Sequence, residues 1–127
     1  MERRIVPADS PYAPVVGYSR AVRVGPHVYV SGTAPIMPDG AETPPDAYGQ
    51  ARRCLEIIVD ALRELGAGPE HVVRTRVFIT DPEEWEEIGR AHGEVFGQIL
   101  PASAMIVMRG VLDPRWRVEI EADAYVP

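Results

Sequence analysis

The sequence predicts an α+β sandwich in which a mostly antiparallel six-stranded sheet carries two helices on one face. Three observations carry that prediction. Runs rich in β-branched and aromatic residues alternate with two segments whose apolar residues recur at spacings of three and four, in the order β-β-β-α-β-α-β-β. Each helical segment has a single apolar stripe, as a helix lying on a sheet requires. The final run alternates strictly: Val118, Ile120, Ala122, Ala124 and Val126 share one face, and Arg117, Glu119, Glu121, Asp123 and Tyr125 the other. With 127 residues, 46% hydrophobic and 25% charged, the chain suffices for one domain with a core, so residues 1–127 are read as a single domain.

A short first strand falls near Arg4 to Val6. Residues 18–32 hold two β-rich runs separated by Gly25-Pro26, and glycine at the first central position suits a type II′ hairpin turn. Residues 33–45 carry four prolines and one glycine without periodicity and read as a loop. Thr43-Pro44-Pro45-Asp46 then predicts a helix start with Thr43 as N-cap, Pro44 at the first helical position and Asp46 at the third. Ala51, Cys54, Leu55, Ile58, Ala61, Leu62 and Leu65 form the stripe, and Gly66 stops it. Val72 to Thr80, dense in Val, Thr, Ile and Phe, is a strand. Asp81-Pro82-Glu83-Glu84 repeats the start signal for a helix with the stripe Trp85, Ile88, Ala91, His92, Val95, Phe96 and Ile99. Its run of glutamates, Glu83 to Glu87 around Trp85, is expected to face solvent, favoured there by the helix macrodipole. Ser103 to Met108 and Arg117 to Val126 supply the last two strands.

Charge excludes several chemistries. All 13 basic residues are arginine, against 19 acidic ones, for a net charge of −6. Without lysine there is no Schiff-base amine and no phosphate-loop lysine. An acidic chain without a basic run lacks the footprint of a general nucleic-acid binder, and Arg52-Arg53 reads as a solvated helix face. The apolar runs are too short for a membrane span. Met1 to Arg4 lead directly into a strand, without a secretory leader, and a single cysteine agrees with a reducing compartment, so the expected location is cytoplasmic. Cys54 lies on an apolar stripe and is expected in the core. His27, His71 and His92 share neither helical nor strand spacing, so no metal site is expected. The charged row on the last strand cannot sit in a dry core; it must meet water, a partner chain or a ligand.

Several pieces carry a family resemblance: Gly17-Tyr18-Ser19-Arg20-Ala21-Val22 with Gly25, Val28-Tyr29-Val30-Ser31-Gly32 with Pro35, Gln50-Ala51, Val72-Val73 through Val77-Phe78-Ile79-Thr80-Asp81, Pro101-Ala102, and Val118-Glu119-Ile120-Glu121-Ala122. In order and spacing the chain resembles the Rid family, the imine deaminases of YjgF type once labelled endoribonuclease L-PSP. The resemblance implies a chorismate-mutase-like fold assembled as a homotrimer, with a central barrel and clefts between subunits. It implies hydrolysis of enamines and imines released by PLP enzymes to a keto acid and ammonia, without metal or organic cofactor. It makes Glu119 the acid that positions or activates water, the alternative being a cross-strand or intersubunit ion pair with an arginine such as Arg117 or Arg109. It makes Tyr18 a cleft residue, the alternative being an edge residue with its hydroxyl in water; Ser31-Gly32 falls at a strand end, where backbone could face the ligand or the glycine simply ends the strand.

One departure stands out. The arginine that follows the Pro-Ala pair in active deaminases and clamps a substrate carboxylate is here Ser103. Either the substrate has no carboxylate there, another arginine serves, or the site no longer catalyses. Arg76, on a strand face with Arg74 and Phe78, is one candidate replacement, and Arg109 and Arg115 are others; each is otherwise a solvated or ion-paired arginine. The expectation is a deaminase-like hydrolase with a neutral cleft at position 103, acting on substrates other than amino-acid-derived imino acids. The rivals are a non-catalytic metabolite-binding trimer and, less favoured by charge, a protein acting on RNA.

Overall fold

A computed structural model describes residues 2–127. The β-rich runs become β1 (Arg3–Pro7), β2 (Ser19–Val24), β3 (His27–Thr33), β4 (Val72–Ile79), β5 (Ala102–Val107) and β6 (Val118–Tyr125), and the striped segments become α2 (Ala47–Glu64) and α3 (Trp85–Phe96). The strands form one sheet in the order β1-β2-β3-β6-β4-β5, antiparallel throughout except for the β4–β5 pair. Parallel neighbours need a crossover, and α3 supplies it between β4 and β5. Helix α2 likewise joins β3 to β4, leaving a gap that β6 fills antiparallel to both. The β2–β3 hairpin turns at Gly25-Pro26, where Gly25 has φ +58°, the positive value that the first position of a type II′ turn demands.

Both helices lie on one sheet face. Leu55, Ile58 and Leu62 of α2 and Ile88 and Phe96 of α3 bury against Val28, Val77, Ile79, Val118 and Ile120, all at most 1% exposed. Burial of each such side chain contributes about 1.5–3 kcal/mol. Cys54 is part of this layer, fully buried with its thiol on the Val118 carbonyl, and burial pushes that thiol well above its ordinary range. The opposite face carries Tyr29, Arg76, Glu121, Asp123 and Tyr125, and among the described residues no layer covers it. Among the described residues no helix is long and apolar enough to cross a membrane.

Two local expectations need correction. Helix α2 starts at Ala47, not at Pro44, and its N-cap is Asp46, whose carboxylate accepts the Gly49 N–H at 3.0 Å. Pro45 disfavours helical geometry at Pro44, so the start moves past both prolines to the next oxygen-bearing side chain. The structure also adds α1 (Ala13–Val16), a single turn closed by Gly17 at φ +85° and too short to show a period.

Candidate active site

The ends of β2, β3 and β6 meet at a cleft of about 310 Å³ lined by Tyr12, Val16, Tyr18, Arg20, Ser31, Gly32, Leu112, Trp116 and Glu119 with a few neighbours. Each wall has a local cause. The positive φ of Gly17 turns the chain out of α1 so that Tyr18 enters β2 at the cleft. The β3–β6 register shifts between Val30 and Thr33, which loosens the ladder at Ser31-Gly32. The absence of a Cβ at Gly32 lets the Glu119 carboxylate lie against the backbone there; an added Cβ would push that carboxylate aside. Gln50, only 2% exposed, fixes the far wall: its amide donates to the Pro44 and Arg115 carbonyls at 3.0 Å each and accepts the Arg117 N–H at 2.8 Å. Trp116 stands between those two loop residues and meets Tyr12 edge-on at 6.5 Å.

Glu119 is half-buried, and among the described residues nothing donates a hydrogen bond to its carboxylate. Burial raises its pKa above the ordinary carboxylate value; Arg20 opposes that shift and Glu121 adds to it. A carboxylate without an internal donor, facing an open cleft, can hold a water molecule and take its proton. Within the chain, among the described residues, Glu119 forms no ion pair with Arg117 or Arg109. Arg117 pairs with Glu84, so the expectation that every member of the glutamate run faces solvent fails at Glu84, whose second oxygen is buried without a partner.

Of the residues singled out in the sequence, the fold brings Tyr18, Ser31, Gly32 and Glu119 together. The Ser31 hydroxyl is spent internally, donating toward the Ser19 and Arg20 carbonyls and accepting from Arg20. The other candidates stand elsewhere. Ser103, on edge strand β5, accepts a hydrogen bond from Thr75 at 2.7 Å, and the Thr75 hydroxyl also meets His92 Nε2 at 2.8 Å. Arg76 lies on the open sheet face, held by Glu121 at 3.0 Å and Asp123 at 3.6 Å. Arg109 lines a neighbouring hollow beyond Trp116, and Arg115 is tied to Asp113.

The arginine in the cleft is Arg20, which sequence reasoning passed over, so the cleft wall is not neutral. The whole residue is 5% exposed. Nη1 donates to Ser31 Oγ, the Gly32 carbonyl and Thr33 Oγ1 at 3.1, 2.8 and 3.1 Å, and the guanidinium carbon lies 5.8 Å from the centre of the Tyr18 ring. The available signal was an arginine two residues after Tyr18, on a strand otherwise headed into the core.

Comparison with known proteins agrees in fold and sequence. A family model described as Endoribonuclease L-PSP matches residues 8–126. A crystal structure from Mycobacterium tuberculosis, described as a member of the YjgF/YER057c/UK114 family, is 42% identical with a TM-score of 0.88, covering 98% of this chain and 100% of that one. An uncharacterized Streptomyces coelicolor protein is 35% identical over 96% of this chain and 91% of its own length. A mouse relative named 2-iminobutanoate/2-iminopropanoate deaminase is 28% identical over 96% of this chain and 90% of its own.

Proposed function

Since the chain belongs to the endoribonuclease L-PSP family, also known as the YjgF or Rid family, we propose that it hydrolyses a small imine or enamine in this cleft, with Glu119 handling the water. The observation that carries the reading is the Glu119 carboxylate: half-buried, without a hydrogen-bond donor among the described residues, and set against Gly32 in a cleft with Tyr18. Water oxygen bonds to the imine carbon as Glu119 accepts its proton. The carboxyl passes that proton to nitrogen; a second moves from the new hydroxyl to nitrogen by the same route. The C–N bond then breaks, releasing ammonia and a carbonyl compound. The Tyr18 phenol holds the substrate's far end. No step needs a metal or an organic cofactor.

The name of the mouse relative supports the reaction class. The substrate is a separate matter. With serine at 103, the carboxylate of 2-aminoacrylate and similar imino acids loses the partner it has in family members with arginine there. The preferred substrates therefore differ from theirs in shape or in where their charge is held.

A homotrimer belongs to the same reading. The β5 edge exposes Met105 and Ile106 at 37% each and Val107 at 54%, and the open sheet face exposes Tyr29 at 50% and Tyr125 at 46%. Apolar surface on an edge strand and an uncovered face favours association. Ser103 sits on that edge, so it meets a ligand only in a cleft shared with a neighbouring subunit. The family description also names an endoribonuclease, but a net charge of −6 without lysine opposes the phosphate contacts such an activity needs.

Ammonia release from freshly generated imines, with and without a carboxylate, tests the reaction against Glu119→Ala. Turnover that disappears in the variant supports the deaminase reading. Silence with every imine, in a protein that still binds a carbonyl compound, leaves a metabolite-binding trimer instead.

A further inference from the structure

Arg20 is the group in the cleft that its own surroundings do not explain. With the residue only 5% exposed, its guanidinium has lost nearly all its water, a cost that proteins ordinarily offset with a carboxylate. Among the described residues no carboxylate comes within ion-pair distance of Arg20; its three acceptors, Ser31 Oγ, the Gly32 carbonyl and Thr33 Oγ1, are neutral. All three are taken by Nη1, and among the described residues nothing hydrogen-bonds to the edge formed by Nε and Nη2. That edge is the fork that matches two carboxylate oxygens.

Arg20 and Glu119 are also neighbours through Gly32: Nη1 holds the Gly32 carbonyl, while the Glu119 carboxylate packs where a Cβ would be. One peptide unit thus separates a cation short of an anion from a carboxylate short of a donor. With one arginine set against Glu119, and Glu121 further along the same strand, a monoanion is accommodated and a dianion repelled.

We propose that Arg20 anchors a monoanionic carboxylate of the ligand, in place of the arginine absent at position 103. The substrate is then a small imino or enamino acid whose carboxylate is held by β2 of the subunit that also supplies Glu119. The class of substrate rests on the hydrolytic reading; the anchoring of a carboxylate does not.

Binding of 2-oxobutanoate, the stable keto-acid counterpart of such a substrate, is read through the fluorescence of Trp116 and by calorimetry, with butanone and inorganic phosphate as comparison probes. Wild type is expected to bind 2-oxobutanoate at least tenfold more tightly than butanone or phosphate. Arg20→Met and Arg20→Lys should each lose at least tenfold, since lysine has no fork, while Arg76→Ala and Arg109→Ala leave affinity unchanged. Glu119→Gln removes the adjacent negative charge and should tighten 2-oxobutanoate several-fold. That variant keeps Arg20, and so decides the matter even where the Arg20 variants do not fold. The proposal is overturned by a folded Arg20→Met that binds like wild type, by butanone or phosphate binding as well as the keto acid, or by a Glu119→Gln protein that gains nothing. Arg20-dependent binding without ammonia release from any imine upholds the anchor and sinks the hydrolytic reading. Glu119-dependent release in a protein that ignores 2-oxobutanoate does the reverse.

Discussion

Glu119 faces two opposed demands. Its proposed role in taking a proton from water needs a carboxylate, yet burial favours the neutral acid and raises its pKa above the ordinary glutamate value, only partly countered by Arg20. Because the folded pKa lies above the unfolded one, the stability this group contributes is present at low pH and lost as pH rises through the folded value. The ionised residue therefore burdens the fold at neutral pH. Glu119→Gln is expected to raise the melting temperature at pH 7, with the gain shrinking as melts are run toward pH 4, while ammonia release falls by about 10²–10⁴-fold. In wild type, turnover should decline on acidification around a midpoint above the ordinary glutamate value, as a pH–rate profile would show. The arginines differ for a reason of the same scale. Arg76 is neutralised by Glu121 and Asp123, whereas Arg20 meets only neutral oxygens.

At the scale of elements, the start of α2 holds together both the helix and one wall of the cleft. Asp46 caps the helix, so Asp46→Ala should cost about 1 kcal/mol in denaturant unfolding. Thr43→Ala, at the cap position suggested by the sequence, should cost nothing measurable, since Thr43 lies outside the helix. One turn on, Gln50 spans from α2 to the Arg115–Arg117 segment and to Pro44. Gln50→Leu strands those backbone groups in the interior, at about 1–3 kcal/mol for each buried group left unpaired. It should also loosen the loop carrying Trp116, seen as weaker binding of 2-oxobutanoate and a shifted tryptophan emission. The Gln50-Ala51 pair thus has a physical role: Ala51 packs beneath the sheet, and Gln50 ties the cleft loop down.

For the whole molecule, the sheet has one face covered by α2 and α3 and one left open. Cover for the open face and for the β5 edge must come from other copies if the apolar residues there are to leave water. Sedimentation should give three times the mass of the chain. Ile106→Glu puts a charge on that edge, and is expected to yield a smaller species with reduced ammonia release but an unchanged far-ultraviolet circular dichroism spectrum. A wild-type monomer that turns over imines would refute this assembly.

Periodicity is a local property, which is why the strands, both amphipathic helices and the two-faced final strand are legible residue by residue. Glu119 could be found the same way, since the alternation of β6 sends it away from the core and the motif around it carries the family resemblance. The edges of the elements were less legible, because consecutive prolines and a buried glutamine settle them through contacts beyond the local window. What the sequence by itself determined was the order of elements, the family and the acid at the centre of the cleft. Only the tertiary structure decided which arginine stands beside that acid. The choice depends on the register of β3 against β6 and on the irregularity at Ser31-Gly32, and pairings between strands distant in the chain leave no periodic trace in the strands themselves.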